Sequence, residues 1–140
     1  MVRSRVALDL EIPSDVRYIE EVVELAARKC RELHLPPRKC TLNVRVALAE
    51  AISNAILRGN SEAPNSHVKV KAVVTDEAVI FDIVDEGQGF DLAATPHDPT
   101  RPDHLEMESG RGLFLMQRLM DRVERFQSDG NVVRLTLLRQ

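Results

Sequence analysis

Glu50 and Asn54 stand four residues apart in the stretch VALAEAISNAILRGN, a spacing that brings a carboxylate and an amide to one face of a helix. Ala47, Ala51, Ile52 and Ala55 surround the pair. A small apolar stripe is an unusual setting for polar groups that merely meet water, and apolar surroundings make a carboxylate a better base. A second group, Asp85-Glu86-Gly87-Gln88-Gly89-Phe90, directly follows a run of strand character that ends at Val84. Glycines one residue apart allow positive φ and a close backbone approach to a ligand. A carboxylate at a strand end can accept a hydrogen bond from an exocyclic amine such as that of adenine. The group is neither a Walker A loop nor a GxGxxG fingerprint, so any nucleotide site here is of another kind. The third group, Ser109-Gly110-Arg111-Gly112-Leu113, closes a polar segment and opens a helical pattern. Free N–H groups and the dipole at such a helix start favour an anion, and Arg111 adds a fork suited to phosphate oxygens. Each group alone also reads as something bland: a solvated helix edge, a tight turn, a glycine hinge. Three in fixed order make a stronger case than any one.

The elements that position them follow from periodicity. Val6, Leu8, Leu10 and Ile12 alternate with polar residues as in a half-buried strand. Ser14 reads as the N-cap of an amphipathic helix from Asp15 to about Leu33, ended by Pro36-Pro37. A second, unusually apolar helix spans about Arg38 to Arg58, with Gly59-Asn60 as its stop. Val68 to Val74 and Ala78 to Val84 pair as a hairpin across Thr75-Asp76-Glu77. Asp91 to Gly110, with three prolines, reads as a long lid-like loop. A helix from Gly112 to about Arg122 comes next, and Val123 to Gln127 with Val132 to Leu138 make a last hairpin. The order predicts an α+β, two-layer sandwich, with helices on one face of a mixed, mostly antiparallel sheet. Residues 1–140 read as one domain.

Composition narrows the function classes. A net charge of −3 offers no global positive field for nucleic acid or an anionic membrane. No run approaches the eighteen or more apolar residues expected of a membrane span, and the N-terminal stretch MVRSRVALDLEIP has no continuous apolar stretch of signal-peptide length. The cytoplasm is the expectation. Cys30 and Cys40, in helical segments without ligand spacing, read as free buried thiols. His97 and His104, near Asp98 and Asp103, match no ligand pattern and read as incidental loop histidines rather than a zinc site.

Together the three groups resemble the ATP-binding anti-sigma-factor serine/threonine kinases, relatives of the histidine-kinase, gyrase and Hsp90 ATPases with the Bergerat fold. EAISNAILRGN resembles that family's N box, DEGQGFD its first glycine box and SGRGLFLMQRLMD its second. The resemblance implies ATP and Mg2+ as cofactors. It implies that Asn54 coordinates the magnesium and that Glu50 is the general base. Asp85 would recognise adenine, with Gly87, Gly89 and Phe90 lining the base pocket, and Gly110, Arg111, Gly112 and Leu113 would hold phosphates. Phosphoryl transfer needs mainly positioning and charge neutralisation, and a hard amide oxygen suits magnesium.

Two positions depart from the family pattern. Arg58 stands before Gly59 where a histidine is frequent, and an arginine there could reach phosphate or a partner. Asn131 follows Gly130 where related ATPases tend to place a threonine, Thr136 lying further along the strand. The implied function is a homodimeric kinase that phosphorylates an anti-anti-sigma (STAS-domain) protein and sequesters a sigma factor. The alternatives are an ATP-dependent binding module without transfer, and a detached histidine-kinase catalytic domain. The last ranks third, because no phosphoacceptor helix is read in the chain and the lid followed by GRGLFLMQRLMD more closely resembles the anti-sigma group.

Overall fold

The computed structural model describes residues 3–61, 63, 65–87 and 104–140, the side chains of the last segment from Gly112 onward. Strand β1 (Ser4–Pro13) leads through a short 3-10 turn (Val16–Tyr18) into helix α1 (Ile19–Glu32). Helix α2 (Arg45–Asn54) is flanked by two widened π-helical turns, Lys39–Val44 and Ala55–Gly59. Strands β2 (His67–Thr75) and β3 (Ala78–Asp85) follow, then helix α3 (His104–Leu119) and strands β4 (Arg122–Gln127) and β5 (Asn131–Leu138). The sheet order is β1-β2-β3-β5-β4, and every pairing is antiparallel. The expected α+β architecture is present; the parallel component of a mixed sheet is not found among the described strands.

Alternation along the strands decides what faces the helices. In β3, Val79, Phe81 and Ile83 are each 1% exposed and belong to the core shared with α1 and α2. Asp85 is the next residue in the same period-two series, so its carboxylate is carried to the helix-covered side at the sheet's end. Full burial of such a side chain stabilises by about 1.5–3 kcal/mol, roughly 5–9 kcal/mol for the three. A one-residue slip would turn all of them outward. That is comparable to a domain's whole net stability, so the register of Asp85 is firmly set. On the opposite face Arg134 forks onto Asp82 at 2.8 and 2.9 Å and lies over Phe126.

The helical stretch Lys39–Gly59 is 21 residues long, long and apolar enough by length and composition alone to cross a membrane. Here those apolar residues line the core: Cys40, Val44, Ala47, Leu48, Ala51, Ile52, Ala55 and Ile56 are all buried in it. Such a helix needs little help from caps, because tertiary packing holds it. An ion pair between Arg45 and Glu24 ties α1 to α2, and the Asn43 amide donates to Leu119 O at 2.7 Å, tying this helix to the end of α3.

Two boundaries differ from the sequence reading. Ser14 is not the helix cap. Asp15 is, accepting from Arg17 N–H at 2.9 Å at the head of the 3-10 turn, while the Ser14 hydroxyl is taken by Asn60. The third helix starts at His104, not Gly112. Its early residues Leu105, Glu106, Met107 and Glu108 are strong helix formers, and the last of the three prolines, Pro102, already lies before it.

Candidate functional site

Asp85 is 9% exposed at the end of β3, and a buried carboxylate is costly unless hydrogen-bonded. Its Oδ1 accepts from Gly87 N–H at 2.9 Å and from Asn131 Nδ2 at 2.9 Å. Asn131 reaches it because Asp85 and Asn131 face each other in the β3–β5 register. The same Asn131 amide donates to Gly87 O at 2.5 Å. Asp85 Oδ2 borders Gly59: a Cβ there would stand 2.2 Å from it.

Gly59 and Gly87 are themselves in contact, since a Cβ on Gly87 would lie 1.5 Å from Gly59 O. Among the described glycines only Gly130 has positive φ, at 130°. Gly87 is therefore required for space, not for the backbone freedom expected of it. Gly130, beside Asp129 at φ 50° in the β4–β5 turn, would bring a Cβ within 2.7 Å of Asp85 O. Asp85 is thus enclosed by two glycine backbones, an asparagine amide and a tight turn.

One helical turn back, Glu50 and Asn54 are both half-buried on α2. α3 crosses them at Gly112, where a Cβ would lie 2.9 Å from Glu50 Oε2 and 3.4 Å from Asn54 Nδ2. The structure therefore brings the first and third sequence groups together. It does so through the interior of α3, because Gly110, Arg111 and Gly112 sit six to eight residues past its start. The argument from unsatisfied first-turn N–H groups does not apply to them there. Leu113 is half-buried against the core. Gly89, Phe90, His97 and the side chains of His104 and Arg111 lie outside what is described.

The widened turn Ala55–Gly59 connects the two halves of the site, with Asn60 N–H closing onto Ala55 O at 2.9 Å. Such π-turns are frequent at functional sites. Arg58 lies on this turn. Burial holds the Arg125 guanidinium below its usual range, and the neighbouring charge of Arg58 lowers it further. Arg58 and Arg125 are thus near enough for their charges to interact. The donor set of Glu50 and Asn54, a carboxylate and an amide oxygen, fits a hard divalent ion such as Mg2+.

In the sequence alone Gly59-Asn60 reads as a helix stop and Asn131 only as a departure from the pattern. What identifies all three is contact with residues 26 or more positions away. The pairing of strand ends Asp85 and Asn131 is the one signal that could have linked Asn131 to the site.

The family model for a histidine kinase-like ATPase domain matches residues 12–137. Among curated relatives, an anti-sigma F factor of Clostridium beijerinckii is 27% identical over 96 residues, covering 68% of this chain and 67% of the relative. The serine-protein kinase RsbW of Bacillus subtilis is 31% identical over 99 residues, 67% of this chain and 62% of its own length. An anti-sigma F factor of Heyndrickxia coagulans is 34% identical over 97 residues, 65% of each. The matched segment thus spans about two-thirds or less of these relatives.

Proposed function

Because this chain belongs to the histidine kinase-like ATPase domain family, we propose that it binds ATP with magnesium and transfers the γ-phosphoryl group to a hydroxyl on a partner protein. The observation that carries the reading is the meeting of Glu50, Asn54 and Gly112, with the glycine-lined Asp85 reached from the same helix through the turn Ala55–Gly59. Asp85 accepts from the adenine amine, and Gly87, Gly89 and Phe90 line the base. Gly110, Arg111, Gly112 and Leu113 lie along the phosphates. Asn54 would hold the magnesium, whose charge, when bound, would offset that of the phosphate oxygens. Glu50 takes the proton of the attacking hydroxyl as its oxygen bonds to the γ-phosphorus, the bond to the β-phosphate oxygen breaks and ADP leaves.

The names of the relatives, anti-sigma F factor and serine-protein kinase, support a serine as acceptor and a sigma factor as the protein held; that the serine belongs to an anti-anti-sigma STAS-domain protein rests on the resemblance of the sequence motifs alone. We place this activity in the cytoplasm, in a homodimer.

The test is incubation with magnesium, γ-labelled ATP and a STAS-domain protein. The expected product is acid-stable label on the partner, absent with Glu50→Gln although that variant still binds nucleotide. Acid-labile label would contradict the serine acceptor, and bound ATP without transfer would leave a binding module.

A further inference from the structure

Asn60 is 5% exposed, and every hydrogen-bonding group of its side chain is engaged. Its Oδ1 accepts from Glu86 N–H at 2.7 Å, and its Nδ2 donates to Ser14 Oγ at 2.7 Å and to His67 O at 2.9 Å. Around it the Ser14 and Ser66 hydroxyls lie 2.8 Å apart. Glu86 Oε1 accepts from His67 N–H at 3.1 Å. Four junctions meet on this one amide: the exits of β1, of the turn after α2 and of β3, and the entry to β2.

The bond to Glu86 matters most. The β3–β5 ladder ends at Asp85 with Asn131, so Glu86 N–H lies beyond its last rung and Asn60 satisfies it instead. That N–H belongs to the peptide joining Asp85 to Glu86, whose orientation sets where the Asp85 side chain and the Gly87 backbone go. Only an amide of this length serves. A carboxylate would set charge against the His67 carbonyl, and a shorter hydroxyl would not span the gap.

We propose that Asn60 is a positioning residue for the nucleotide site: by holding the Asp85–Glu86 peptide it keeps the Asp85 carboxylate seated at the Gly59–Gly87 contact, and so sets nucleotide affinity without touching the nucleotide. This role rests on the ATP-binding reading above.

The test pairs calorimetry of magnesium-ATP with urea unfolding of the nucleotide-free chain, for wild type, Asn60→Ala, Asn60→Asp and Ser14→Ala. Loss of a buried hydrogen bond corresponds to about tenfold weaker ATP binding by folded Asn60→Ala. Asn60→Asp, which keeps an acceptor for Glu86 N–H, is expected to fall between it and wild type. Ser14→Ala removes the partner on the far side of Asn60. It should lower the urea midpoint while leaving affinity within about twofold. An Asn60→Ala variant less stable than wild type but equal in affinity would overturn the proposal and leave the ATP reading intact. No ATP binding by wild type would overturn both. Amide exchange on the unmutated chain gives an answer that needs no variant to fold. Glu86 N–H should be protected like the β3 ladder, and exchange at the free-peptide rate would overturn the role.

Discussion

The Asn131 side-chain amide donates to Asp85 Oδ1 at 2.9 Å across the last rung of the β3–β5 pairing. With its second bond, to Gly87 O, it clamps the strand end and the glycine turn together. A hydrogen bond to a carboxylate is worth about 1.5–3 kcal/mol. Asn131→Ala should therefore weaken magnesium-ATP binding by roughly ten- to a hundredfold in calorimetry. Gln127→Ala, which removes an exposed 3.3 Å bond to the same asparagine, should change it by less than about threefold. Equal effects of the two would contradict the clamp.

The glycines separate binding from transfer. An alanine at 59 would drive its methyl into the Asp85 carboxylate, 2.2 Å from Oδ2, within a packed backbone contact, so Gly59→Ala should lose ATP binding. At 112 the methyl meets the end of the Glu50 side chain at 2.9 Å, and a flexible side chain can swing away. Gly112→Ala should fold, as judged by circular dichroism, and retain ATP, yet transfer phosphate at least about tenfold more slowly because the base is displaced.

Much of this was legible in the residues, and what was not has a common physical cause. The β2–β3 hairpin was readable to within a residue because period-two burial is a local signal. The pairing of Glu50 with Asn54 was likewise local, one turn of helix. The start of α3 was misplaced because prolines and polar residues upstream suggested a loop that runs on to Gly110, when helix formers follow at once. Gly59, Asn60 and Asn131 carry only turn and stop signals in their own neighbourhoods. Their roles arise from contacts with residues 85 to 87, set by strand order.

The cysteines give a prediction for alkaline pH. Burial pushes the Cys30 thiol up to about 12 from 9.0, with Cys40 adding to the shift, and burial raises Cys40 as well. Between those values the folded chain keeps a proton that the unfolded chain releases, so this contribution is intact below pH 9 and is lost as pH rises toward 12. The loss approaches roughly 1.4 kcal/mol per pH unit. Urea midpoints should fall over this range, and less steeply in Cys30→Ala even though its cavity lowers the starting stability. At pH 8 a thiol reagent should react with neither cysteine until urea is added; rapid reaction of the native chain would contradict their burial.

Calorimetry of magnesium-ATP on wild type, Asp85→Ala and Asn54→Ala tests the central claim most directly, because base recognition and metal binding are assigned to those two side chains. The account predicts saturable binding by wild type that falls below detection in Asp85→Ala and loses its magnesium dependence in Asn54→Ala, with all three chains folded. Failure of the wild type to bind, or undiminished binding by Asp85→Ala, would contradict it.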